Sequence, residues 1–207
     1  MPLLSPYRVL DVTDERGQLA GMILADLGAD VIKVEPRGGS DARRVGPYLD
    51  AAPETERSLS FAAYTRTTRS VALDFESDAG REAFHAPVRD ADFVLDSGPP
   101  SLLDEAGHDF ERLRAENDQI VQVRTTPYGQ DGPMAEAACS DITIAALAGP
   151  MSGQGDADRP PVRLSVPQAY RHAGAEAAVA ALIGHARMRT TGGGVFIDVS
   201  AQSALTW

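Results

Sequence analysis

Two groups of arginine on loops are the residues of this chain whose type and spacing best suit ligand chemistry. Arg37, Arg43 and Arg44 surround Gly38 and Gly39, while Arg66 and Arg69 bracket Thr67 and Thr68 and lead into Ser70. A guanidinium presents a planar fork of donors that matches phosphate oxygens, and loop amides beside glycine add to it. The same arginines also offset acid in a chain with 30 Asp and Glu against 19 Lys and Arg, so a solvated-surface reading stands beside the anion-binding one. If the second and third strands are neighbours, the two loops are expected to emerge close together. Other chemistries lack their motifs. The turn TDERGQLAG has no G-x-G-x-x-G, and no P-loop and no G-x-S-x-G elbow occurs. His85, His108, His172 and His185 are scattered and Cys139 is alone, so no metal set and no internal disulfide is expected. Each histidine is expected at the surface or at a helix end.

The elements that position these loops follow from periodicity. Arg8–Thr13 reads as a buried strand, Gly21, Met22, Leu24, Ala25 and Leu27 recur at helical spacing, Gly28 stops that helix, and Asp30–Glu35 forms the next strand. Ser70–Asp74, Ala91–Asp96, Gln119–Thr125 and Val195–Ser200 are four further strands. Between them, Ser77 caps a helix to about Asp90 that Pro87 should end early or kink, and helical segments are expected at Leu102–Ala106 and Asp109–Glu116. Residues 126–140 form a Gly- and Pro-rich loop, a helix begins near Ser140 or Asp141, and a long helix spans about Pro167–Met188. Its Ala173, Gly174, Ala177, Ala178 and Ala181 make a small-residue face for close packing. Strands alternating with helices predict an α/β fold with a doubly wound, mostly parallel six-stranded sheet, which carries its ligands at the carboxyl ends of the strands.

Composition narrows the partners. A chain of 207 residues with 43% hydrophobic residues supports one domain. A net charge of −11 opposes nucleic acid and anionic membrane, and no apolar stretch is long enough to span a bilayer, so a cytoplasmic protein is expected. Lys33 is the one lysine, as GC-rich coding would leave it.

The wording LADLGADVIKVEP, followed in order by GGSDARR, RSVALDF and YGQDGP, resembles the family III CoA-transferases, which include carnitine and formate CoA-transferases and α-methylacyl-CoA racemases. The resemblance covers nearly the whole chain but only the N-terminal, Rossmann-like large-domain half of the family, without its small domain and C-terminal return. It implies coenzyme A or acyl-CoA as substrate, a carboxylic acid as the second reactant, no metal, and a homo- or hetero-oligomer with a transferase subunit. It places the CoA phosphates on Thr67, Thr68 and Ser70 with Arg44, Arg66 and Arg69 around them; Glu105 falls where some transferases carry an arginine. In family transferases an aspartate attacks the acyl-CoA carbonyl, expelling CoA thiolate and forming a mixed anhydride, before CoA returns to give an enzyme thioester. The acidic residue ahead of the active-site helix matches Asp141 in ACSDITIAALAG, and the segment PPVRLSVP leads to QAYRHAG, which puts Tyr170 at the nucleophile position. A phenol with a pKa of about 10 is a poor acyl acceptor at neutral pH. Asp141 reads equally as a helix N-cap and as a catalytic acid. Gln18, in the first turn, is polar enough to face an active site. The resemblance therefore implies the non-catalytic half of a heteromeric or tandem transferase, with an acyl-CoA-binding regulatory protein and an active transferase using Asp141 as alternatives.

Overall fold

The structure is a computed structural model that describes residues 2–98 and 101–206. Its sheet has six parallel strands: β1 (Arg8–Asp11), β2 (Asp30–Pro36), β3 (Arg69–Leu73), β4 (Phe93–Ser97), β5 (Val121–Thr126) and β6 (Val195–Ser200), in the order β3-β2-β1-β4-β5-β6. Each expected strand is present to within two residues. Residues alternate between the two faces, so Val9, Val31, Phe93 and Leu95 enter one core while Leu10, Val34 and Val94 enter the other. Parallel strands covered on both sides need this double burial.

The first core is roofed by helices α1 (Gln18–Asp26), α6 (Asp141–Ala148), α7 (Ala169–Thr191) and the short α8 (Ala201–Ala204). The second lies under α3 (Asp78–Arg89), α4 (Leu102–Glu105) and α5 (Phe110–Glu116). A further short helix, α2 (Leu59–Tyr64), sits in the long β2–β3 connection; neither it nor α8 carries a periodic signal long enough to read. Gly28, with φ +102°, ends α1 as expected. Pro87 lies within the last turn of α3, which ends two residues beyond it at Arg89.

Small residues let α1 and α7 approach closely. A Cβ on Gly174 would lie 2.9 Å from Leu19 Cβ of α1, and on the side of α7 facing the sheet one on Gly184 would lie 2.6 Å from Ile197 Cδ1 of β6. Beneath α1, the carboxylate of Asp11 takes the space that a side chain at Gly21 would need, at 2.3 Å. That carboxylate accepts from Lys33 Nζ at 2.9 Å and from the Thr13 hydroxyl at 2.6 Å, and Lys33 also donates to the Thr13 carbonyl. Lys33 is wholly buried.

Two of the four histidines depart from expectation. His85 on α3 and His108, in the turn before α5, are buried in the second core, ring against ring at 4.9 Å with Phe75 and Phe84 around His108. Neither ring nitrogen of His108 has a hydrogen-bond partner. Burial and the neighbouring His85 push its imidazole down to about 4. His172 is exposed and His185 half-buried. Among the described residues no helix is long and apolar enough to cross a membrane.

Candidate functional site

The strand order reverses between β1 and β4, and a cleft of about 200 Å³ opens there at the carboxyl ends of the strands. Its wall carries Asp14 and Arg16 from the turn between β1 and α1, and Ser97 from the end of β4. Asp14 accepts from Arg16 Nε at 2.8 Å and from the Ser97 hydroxyl at 3.0 Å, and its own amide donates to Ser97 Oγ at 3.0 Å. Burial alone would lift the Asp14 carboxyl, but Arg16 and Ser97 outweigh it and hold it below the ordinary range. The pair thus ties the first turn to β4 and fixes the guanidinium at the crevice. Gln18, the first residue of α1, is buried with its Oε1 unpartnered. A larger cleft of about 460 Å³ adjoins this one on the β3 side, with Arg37 and Arg81 on its walls.

Tyr170 lies in the first turn of α7, at the same end of the sheet. Its hydroxyl is 3.3 Å from the thiol of Cys139, the residue before the N-cap of α6. Burial, then the Cys139 contact, push the phenol well above its ordinary value, so it stays protonated. Ser140 caps α6 reciprocally with Thr143. Asp141 caps a different helix: its Oδ1 accepts from the amides of Gln168 at 2.6 Å and Ala169 at 2.8 Å, the start of α7. Gln168 supplies no side-chain cap of its own, and that gap is the one sequence signal that α7 takes its cap from elsewhere.

The arginine loops meet at a single carboxylate, Glu35, which accepts from Arg43 of the first and from Ser70 of the second, while their other cations diverge. β2 and β3 pair in parallel, so the segment leaving β2 and the segment entering β3 lie at opposite ends of the sheet. At the carboxyl end, Arg44 donates to Asp41 at 2.7 Å and to the Gly38 carbonyl at 3.2 Å. Beside it, Arg43 is forked onto Glu35 at 2.6 and 2.8 Å. At the amino end, Arg66 pairs with Asp26 on α1, and Arg69 forks onto Asp30 at 2.7 and 2.6 Å. Thr67 points its hydroxyl to Asp26, Thr68 donates to the Thr65 carbonyl, and Ser70 donates to Glu35 at 2.6 Å. A buried network that the sequence did not reveal runs from Asp96 on β4 to Arg124 on β5 and Asp104 on α4, with contacts of 2.7 and 2.6 Å. Among the described residues no group of acids, histidines and cysteines is placed to hold a metal.

Comparison with known proteins covers the same ground. The family model described as CoA-transferase family III matches residues 4–207. The chain is 40% identical over 201 residues to succinyl-CoA:(R)-benzylsuccinate CoA-transferase subunit BbsE of Thauera aromatica, covering 97% of this chain and 49% of that one. It is 34% identical over 206 residues to the mouse succinyl-CoA:glutarate CoA-transferase, covering 99% and 46%. A crystal structure of a CAIB/BAIF family protein from Brucella suis superposes with a TM-score of 0.85 at 34% identity, covering 97% of this chain and 53% of that one. The chain spans about half the length of the relatives it matches.

Proposed function

The chain belongs to CoA-transferase family III, and from that we propose that it is the CoA-binding, catalytically silent half of a heteromeric acyl-CoA:carboxylate CoA-transferase. The observation that carries the reading is the junction of α6 and α7. Tyr170 holds a protonated phenol at the position where the resemblance calls for a carboxylate, and Asp141, the acid at the start of α6, is tied to two amides of α7. A carboxylate spent on capping is restrained from attacking a thioester carbonyl. The Thauera relative, itself named as a subunit, fits a chain that works beside another. On this reading the chain is a cytoplasmic member of a hetero-oligomer, and its small molecules are CoA thioesters and carboxylic acids.

CoA phosphates have two candidate holders. Arg44 stands at the carboxyl end beside the clefts, and Arg66, Thr67, Thr68, Arg69 and Ser70 stand at the amino end. The clefts favour the carboxyl end. Calorimetry with CoA decides: Arg44→Ala should weaken binding by roughly 1.5–3 kcal/mol, the scale of a charge-assisted hydrogen bond, with Arg69→Ala near neutral. The reverse result moves the phosphates to the amino end.

Catalytic silence is tested by mass spectrometry. After incubation with acyl-CoA the chain should show no acyl or CoA adduct and nothing that hydroxylamine traps, whereas Tyr170→Asp, which restores a carboxylate, should give a trappable adduct. An adduct on Asp141 of the unaltered chain overturns the silent-half reading in favour of an active transferase.

A further inference from the structure

Glu105 stands where the two clefts at the carboxyl end of the sheet share a wall. Pro36, Leu102 and Glu105 line both, and so form the neck between the inner crevice of about 200 Å³ and the outer cleft of about 460 Å³. The other acids of the inner crevice are neutralised, Asp14 by Arg16 and Asp41 by Arg44. Among the described residues the Glu105 side chain has no hydrogen bond and no ion pair. Its helix is anchored by the Ser101 cap and by the wholly buried Leu103, so the carboxylate is carried at the neck on a short fixed element. The cation of the inner crevice, Arg16, is tied to Asp14, and outward of the neck Arg37 and Arg81 pair with Asp74 and Asp78, with Glu76 on the same wall. Arg37 is 85% exposed, and Arg81 is held by the Phe75 and Glu76 carbonyls at 2.8 and 2.9 Å.

We propose that Glu105 is an anion filter at this neck, a residue that keeps the charged part of a ligand in the outer cleft and admits only an uncharged segment to the inner one. The inference rests on the CoA-binding reading above. CoA has its phosphates at one end and an uncharged pantetheine arm at the other, so the filter sets which end reaches the Asp14–Arg16 crevice and lowers the affinity for any pose that brings phosphate to the neck. Groups that line one neck lie within a Debye length of about 8 Å of each other, so physiological salt leaves this repulsion largely unscreened. A like charge in a cleft walled by apolar side chains such as Pro36 and Leu102 acts more strongly than one on open surface.

The test is calorimetry of CoA and of pantetheine, the same arm without its phosphates, against the unaltered chain, Glu105→Gln and Glu105→Arg. Glu105 is exposed, and thermal melts establish that each variant folds. Glu105→Gln should tighten CoA about three- to tenfold and Glu105→Arg further, the gain should vanish near 1 M salt where the Debye length is about 3 Å, and pantetheine should bind all three alike. Equal CoA affinity in the unaltered chain and Glu105→Gln overturns the filter and leaves the CoA-binding reading standing. So does pantetheine tightening in step with CoA, which marks a change of shape rather than charge. No binding of either ligand to any of the three overturns the filter and the CoA-binding reading together.

Discussion

Lys33 and Asp11 are both buried, and each is tolerable there because of the other. Replacing Lys33 by Met leaves the Asp11 carboxylate buried without its counter-ion, so urea unfolding should show a loss of about 3–5 kcal/mol. His108 makes the opposite case, an ionisable group kept neutral. Its folded value of about 4 lies below the ordinary 6.5, so the unfolded chain binds the proton more readily. That contribution to stability is complete above pH 6.5 and is lost as the pH falls from there to about 4, by an amount on the order of 1–3 kcal/mol. His108→Phe fits among Phe75 and Phe84, removes two unpartnered nitrogens, and should flatten stability across that pH window. Denaturant midpoints at a series of pH values decide; an unchanged slope in the variant assigns the acid sensitivity elsewhere. Nothing in the sequence marked His108 as buried, because histidine has no strong preference for inside or outside and its neighbours Phe75 and Phe84 are distant in sequence.

At the scale of elements, the junction of α6 and α7 depends on two neighbouring residues with separate duties. Ser140→Ala removes the cap of α6 and Asp141→Ala removes that of α7, each at about 1–2 kcal/mol by thermal unfolding. If Asp141 serves only as a cap, Asp141→Asn, which keeps an acceptor for the Gln168 and Ala169 amides, should recover most of its loss. Gly184→Leu should cost about 1–3 kcal/mol, since Ile197 and Val121 already occupy the space. The elements themselves were legible: β-branched runs, Ser at helix starts and Gly28 at a helix stop are local signals that tertiary context did not override. The small-residue face of α7 was legible too, and the close approach of Leu19 to Gly174 explains it. What the sequence hid is nonlocal. A cap reaching from α6 to α7 joins residues 27 and 28 positions apart, and the arginine loops converge only through Glu35, because a parallel pair sends their outer arginines to opposite ends.

The whole molecule is a sheet flanked by two cores, with β1 and β4 at its centre and β3 and β6 at its edges. β3 is exposed over four of its five residues. Native-state hydrogen exchange should therefore be slowest at Val9, Leu10, Val94 and Leu95 and fastest, among strands, in Arg69–Leu73. Equal protection across the sheet would mean that the edge does not open independently of the centre. The site occupied by Lys33 adds a property of the entire surface. This is the sequence's one ε-amine, and the fold seals it. Every other side-chain cation is an arginine, which thioesters do not acylate under mild conditions, so the folded protein presents no lysine to the reactive acyl donors its family handles. A mass increment on Lys33 then registers only molecules that have come apart, and the rate at which it accumulates is a one-residue clock for unfolding.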